Sequence, residues 1–277
     1  MDFQELMKPI MERTKTTYLS EHCKVEGHEK YELMELSNGK VICPKCEVEK
    51  KNKQIEIDNQ DIFQKREYKR KHRMFLEKSV IGDLTLLNAG FKNYITATEE
   101  EQANKQIMID AVSRYKNDEV FNLFLMGQPG VGKSHLSMAT LKNLNESGEK
   151  NRSCLYISEV AMLRKIRASF SENQPKYTED YFINLLGKVQ YLVLDDIGSS
   201  VGAVGTTKRA SDFSHRVLYS VMDQRQDKST IFTTNLSWEE LEEMYDGKLV
   251  SRMSKNMETV LFKKTVDKRV DGLKRNK

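Results

Sequence analysis

No stretch of eighteen consecutive apolar residues occurs in the 277-residue chain, so no segment has the length and hydropathy of a membrane-spanning helix. The opening residues Met1-Asp2-Phe3-Gln4-Glu5 lack the basic-then-apolar order of a secretory signal. A cytoplasmic protein is therefore expected. A large charge imbalance is missing too. Although 31% of residues are charged, the net charge is only +4, which excludes a general polyanion-binding surface and makes any nucleic-acid contact local. Cysteine is scarce, with four in the chain. In a reducing compartment these read as ligands or buried thiols rather than disulfides. There are no internal repeats and no low-complexity tracts.

What the chain does contain is a complete phosphate-binding loop, Gly127-Gln128-Pro129-Gly130-Val131-Gly132-Lys133-Ser134, followed by His135. An apolar run, Phe121 to Met126, precedes it and a helix-like stretch, Ser134 to Leu144, follows. This strand–loop–helix context is what such a loop requires. Its glycines let consecutive N–H groups turn toward a phosphate, and the helix N-terminus adds a positive dipole. Lys133 would reach the terminal phosphates of ATP, and Ser134 would hold Mg²⁺. The acidic strand that completes such a metal site is Tyr191 to Asp196. Asp195 would orient Mg²⁺ and Asp196 would polarise the attacking water. Glutamate is the commoner residue at the second position, and the shorter aspartate suggests slow turnover. Asn235, at the tip of the run Thr230 to Asn235, places an amide beside the γ-phosphate.

The periodicity predicts further helices at Glu99–Tyr115, at Ser211–Gln224 and at Trp238–Tyr245, and a strand at Cys154–Ser158 followed by a helix through Ala168. Short apolar runs separated by helices imply an α/β fold with a parallel sheet covered on both faces. Cys154, in an apparent buried strand, reads as core. Three regions are expected: residues 1–50, an N-terminal helix plus a zinc-binding module; residues 51–88, a polar, basic helical linker; and residues 89–277, the nucleotide-binding domain. The apolar stripe Phe3, Leu6, Met7, Ile10 and Met11 falls on one helical face.

Cys23-x4-His28-x14-Cys43-x2-Cys46 offers four soft ligands in two pairs, as tetrahedral zinc prefers. Asn38-Gly39 between them is a tight-hairpin signal that would bring the pairs together. Four protein ligands leave no open position, so the metal would be structural. His22 is the alternative to His28, and unligated thiols are the alternative to a metal site.

The order of phosphate loop, acidic strand, Asn235, Arg252 and Arg269 resembles that of the AAA+ ATPases, from about residue 90 onward. Within that class the chain is similar to bacterial and phage replicative-helicase loaders of the DnaC/DnaI type. The resemblance rests on Ala89 to Tyr94, Gly130 to Leu136, Ala168 to Ser171, Asp195 to Gly198, Thr234 to Leu236 and Ser251 to Met253. It implies an ATPase switch that is not itself a helicase. Arg252 would complete the ATP site of a neighbouring copy, and Arg269 would act as a second sensor of the γ-phosphate. The family's single-stranded-DNA insert corresponds to Val160–Tyr181, where Arg164, Lys165, Arg167 and Phe170 are the candidate contacts; a solvated basic face is the bland alternative. Implied partners are a replicative helicase hexamer, met by the zinc segment, single-stranded DNA, and further copies of the chain when on the helicase. A glycine-dotted loop, Gly198–Gly205, departs from the family pattern, and Ser199 and Ser200 are the candidates in it for the family's DNA contacts. A transposition-helper ATPase of the IstB type shares the core and is the competing reading.

Overall fold

The computed structural model describes residues 16–146, 152–199 and 210–269. The apolar stripe from Phe3 to Met11, and the loop from Ser200 onward, lie outside the described residues. The chain divides into two compact units, Met1–Arg66 and Glu67–Lys277.

The first unit holds a three-stranded antiparallel sheet, β1 (Thr17–His22), β2 (Glu32–Glu35) and β3 (Val41–Ile42), in that spatial order. Strands β2 and β3 form the expected hairpin. Gly39 takes φ 79° at its tip, and the Asn38 side chain accepts the Lys40 N–H at 3.0 Å, the local bonding that makes Asn-Gly a turn former. Strand β1 was not anticipated. Helix α1 (Pro44–Lys78) follows at once. Pro44 stands in its first turn, where a missing N–H costs nothing. The helix starts in the first unit and continues past the division, and Phe75 is its buried residue.

In the second unit two short 3-10 turns, Leu84–Asn88 and Phe91–Asn93, lead to α2 (Glu99–Lys116). There follow β4 (Asn122–Gly127), α3 (Lys133–Glu146), β5 (Cys154–Ser158), α4 (Glu159–Ser169), α5 (Glu179–Lys188) and β6 (Tyr191–Asp195). After these come α6 (Asp212–Asp223), β7 (Ser229–Thr234), α7 (Trp238–Met244), α8 (Gly247–Met253) and β8 (Met257–Phe262). The strands form one parallel sheet of order β5-β6-β7-β4-β8. Its members β5, β6 and β7 are buried along their whole length, which is why they read as unbroken apolar runs. Side chains of β4 alternate between two cores. Phe124 and Met126 join the helices α4 to α8, while Leu123 and Leu125 join α2 and α3. The helices are started by local chemistry. Thr98 and Glu101 form a reciprocal capping box on α2, and Ser158, Thr178, Ser211, Ser237 and Asp246 cap α4 to α8.

Strand β8 escaped the sequence reading. Only Val260 and Phe262 of it are buried, and its regular parallel pairing with β4, from Asn122↔Met257 to Gly127↔Phe262, is a long-range event. Arg225 is a second surprise. It is 1% exposed, and its guanidinium donates to Thr230 Oγ1 and to the carbonyls of Leu186, Val189, Gln190 and Ser229 at 2.6–3.2 Å. One side chain thus ties the end of α5 to the starts of β6 and β7. No helix among the described residues is long and apolar enough to cross a membrane.

Candidate functional site

A cavity of about 820 Å³ opens at the C-terminal ends of the parallel strands, where open α/β sheets place their ligands. Its floor is the phosphate loop. Strand β4 ends at Gly127, and α3 begins at Lys133. Gly130 and Gly132 take φ 80° and 98°, left-handed values that a side chain resists. They also lack room. A Cβ on Gly132 would stand 2.6 Å from the Tyr94 ring, and one on Gly130 would collide with the Asp267 carboxylate. The loop is therefore shaped by neighbours distant in sequence as well as by its own glycines.

Above the loop the polar side chains form one network. The Lys133 ammonium donates to the carbonyls of Gly127 and Gln128 at 2.6 and 2.8 Å and to Asn235 Oδ1 at 2.8 Å. The Asn235 amide donates onward to Asp196 Oδ1 at 2.9 Å. Burial lowers the Lys133 pKa to about 8, against the pull of Asp196 and Asp195. Ser134 and Thr233 both donate to Asp195 Oδ1, at 2.7 and 2.6 Å. Burial raises the Asp195 pKa, and those two hydroxyls oppose the shift. Asp196 stands in the left-handed region at φ 61°, its N–H donating to Thr233 Oγ1 at 2.8 Å. Backbone strain of this kind collects at functional sites. Asp195 and Ser134 together present hard oxygens, the donor type Mg²⁺ requires.

Lys133, Ser134, His135, Asp195, Asp196, Asn235 and Arg269 all line the cavity. The sequence spreads them from position 133 to position 269; crossover topology brings them together. Arg252 is elsewhere. It sits on α8, bonded to Asp223 at 3.0 Å and stacked over the Tyr219 ring at 4.3 Å. The geometry is that of a nucleoside triphosphate site in a doubly wound sheet. The IstB-like ATP binding protein family matches residues 55–257.

The chain belongs to that family.

Among curated proteins, it is 26% identical to the replicative helicase loader DnaC of Buchnera aphidicola subsp. Baizongia pistaciae, over 66% of this chain and 70% of that protein. It is 23% identical to DnaC of Escherichia coli K12, over 60% and 63%. Among solved structures, the DnaC helicase loader aligns with TM-score 0.53 at 23% identity, covering 65% of this chain and 99% of that one. DnaI aligns with TM-score 0.54 at 19% identity, covering 67% and 96%. At these identities the structural likeness speaks for the fold alone, a parallel sheet flanked by helices.

The family match starts at residue 55, so the cysteine/histidine module stands on its own geometry. Donor atoms of Cys23, His28, Cys43 and Cys46 lie within 4.8 Å of one another. His22, on β1, is not among them. The sulfurs of Cys23 and Cys46 are 3.7 Å apart, the separation expected from bonds of about 2.3 Å at tetrahedral angles around zinc. His28 Nδ1 approaches Cys46 Sγ at 3.1 Å, while Nε2 lies 3.1 Å from Glu49. A carboxylate on the far nitrogen fixes the tautomer that leaves Nδ1 free as a ligand.

The α4 candidates form an exposed face. Arg164 and Lys165 are exposed between the buried Leu163 and Ile166, Arg167 is exposed just after them, and Phe170 is 68% exposed. Phe170 meets Phe213 edge to face at 5.9 Å, and Arg167 lies over Phe213 at 5.2 Å. Lys165 lies over Tyr177 at 4.6 Å. Cations interleaved with rings outside the core suit a nucleic-acid strand. Phe213 and Tyr177, which border this face, were not singled out in the sequence, nor were the cavity residues Asp83, Tyr94 and Lys268. Tyr94 had a signal, because it closes the Ala89–Tyr94 stretch that carries part of the resemblance. Lys268 had none beyond its place beside Arg269.

Proposed function

We propose that the chain is an ATP-dependent loader of a hexameric replicative helicase onto single-stranded DNA. The observation that carries this is the Lys133–Asn235–Asp196 network together with Ser134–Asp195 in one cavity, in a chain similar to proteins named replicative helicase loader DnaC. The cradle fits ATP and Mg²⁺. Its loop N–H groups and Lys133 hold the phosphates, and Ser134 with Asp195 holds the metal. ATP supplies the phosphoryl group whose transfer to water resets the switch. Asn235 and Asp196 orient that water, and Arg269 senses the γ-phosphate from the cavity wall. Arg252, outside its own cavity and half-buried on α8, serves the site of an adjoining copy. Each site would then be completed only on assembly, which suits a switch better than a motor.

Arg167 and Phe170 contact single-stranded DNA, with Phe213 and Tyr177 extending the face. The first unit, held by zinc through Cys23, His28, Cys43 and Cys46, meets the helicase. The family description favours a second reading, an IstB-type transposition helper; similarity to named helicase loaders weighs against it. Capture of the host's replicative helicase by the purified full-length chain, with and without ATP, separates them. Binding supports the loader. No binding in either state removes it.

A further inference from the structure

The C-terminal arm, Lys263 to Arg269, reaches the cavity through a clasp built on the first turn of α2. The Glu100 carboxylate accepts the N–H groups of Lys263, Lys264 and Thr265 at 3.0–3.1 Å and the Thr265 hydroxyl at 2.7 Å. Next to it Glu101, only 3% exposed, pairs with the Lys268 ammonium at 2.8 Å. Lys268 then meets the phosphate loop directly and, through Tyr94, indirectly. Its N–H donates to the Gly130 carbonyl at 3.1 Å, and its ammonium lies 4.3 Å over the Tyr94 ring. That ring fills the space a Cβ on Gly132 would need, and its hydroxyl donates to the Val131 carbonyl at 3.3 Å. Arg269 is the next residue, its N–H held by Asp267 at 2.9 Å, and it lines the cavity.

We propose that Lys268, pinned by Glu101, is a positioning residue that holds the phosphate loop and Arg269 in the geometry that receives the triphosphate. The inference rests on the cavity being an ATP site. Nothing in the phosphate-loop motif requires the clasp. A flexible loop would have to order its backbone N–H groups as the ligand arrives, and the clasp does that ordering beforehand. The buried pair suits the task. Glu101 also accepts the N–H groups of Ala97 and Thr98 at the start of α2, so its carboxylate cannot follow Lys268 if the arm moves.

A plain electrostatic role for Lys268 and a positioning role predict opposite signs for one variant. Glu101→Gln keeps an oxygen for the α2 cap and leaves the lysine in place, but removes the opposing negative charge. If Lys268 only attracts phosphate, this variant binds nucleotide more tightly. If Lys268 must be held still, it binds less tightly. The measurement is titration of the full-length chain with a fluorescent ATP analogue and Mg²⁺, with melting temperatures recorded alongside. Positioning predicts affinity weaker by about threefold to tenfold in Glu101→Gln and about tenfold in Lys268→Met, with most of it restored in Lys268→Arg. Unchanged or tighter binding by folded Glu101→Gln overturns the proposal. Should that variant melt early, Lys268→Met and Lys268→Arg decide: wild-type affinity in the first, or no rescue in the second, overturns it. A wild-type chain that does not bind the analogue defeats the ATP-site reading itself, a result distinct from a wild type that binds and variants that match it.

Discussion

In the second unit, side chains from both faces of a five-stranded sheet close two apolar layers. In the first unit the buried residues among those described are Cys23, His28, Met34 and Cys43, and three of these are candidate metal ligands. The two units are therefore held by different physics. A domain of the second unit's size removes enough apolar surface from water to offset the entropy of ordering its chain; a short unit does not, and the proposed zinc at Cys23, His28, Cys43 and Cys46 would supply a few strong metal–ligand bonds instead. The same contrast runs through the candidate sites. Lys133, Asn235 and Asp195 are over-determined by several partners each, whereas Arg167 and Phe170 lie on an open face.

The largest effect that would break this contrast is loss of the metal. Structural zinc contributes about 10–16 kcal/mol in small zinc modules. Chelation, or Cys43→Ser, should abolish the first unit's unfolding transition and leave the second unit's unmoved in calorimetry. Loss of both transitions together would mean that the units do not fold separately. Arg225→Met probes the other side. It strands four carbonyls and a hydroxyl that the guanidinium now satisfies, and should lower the second unit's stability by about 3–5 kcal/mol in urea denaturation. A change within experimental error would show that water reaches those groups.

Lys133 sharpens the comparison through pH. Its folded pKa of about 8 lies below the ordinary 10.5, so the unfolded chain holds that proton more tightly. This group's contribution to the stability of the nucleotide-free second unit should then rise as pH climbs from about 8 toward 10.5, by about 1 kcal/mol per pH unit or less. Lys133→Met should lose that slope. A variant with the wild-type pH profile would show that the lysine is not desolvated. The smallest effect on folding belongs to the open face. Phe170→Ala should change stability by about 0.5 kcal/mol or less, yet weaken single-strand binding by about 1–3 kcal/mol, the usual worth of a stacked base, in a polarisation titration. Unchanged binding would leave the exposed ring without a role.

Much of the nucleotide site was legible because its chemistry is local. Glycine spacing shapes the loop, and an apolar run carries Asp195. The clustering of Cys23, His28, Cys43 and Cys46 was legible for the same reason, down to the Asn-Gly turn. Long-range pairing was not. Strand β8 has little apolar periodicity of its own and exists because β4 offers it an edge. Arg225 reads as one more surface arginine until five acceptors surround it. Lys268 is an ordinary lysine until Glu101 and Tyr94 meet it.

The sequence by itself determined that a phosphate loop, an acidic strand and four soft ligands would be present, since each depends on neighbours a few residues away. Only the tertiary structure decided that His28 rather than His22 joins the cysteines, that Asn235 bridges Lys133 and Asp196, and that Arg269 faces the cavity while Arg252 does not. The physical reason is distance along the chain. A motif is set by short-range sterics and hydrogen bonding, but a shared site is set by which strands pair and which helices pack, and that depends on burial summed over the whole unit.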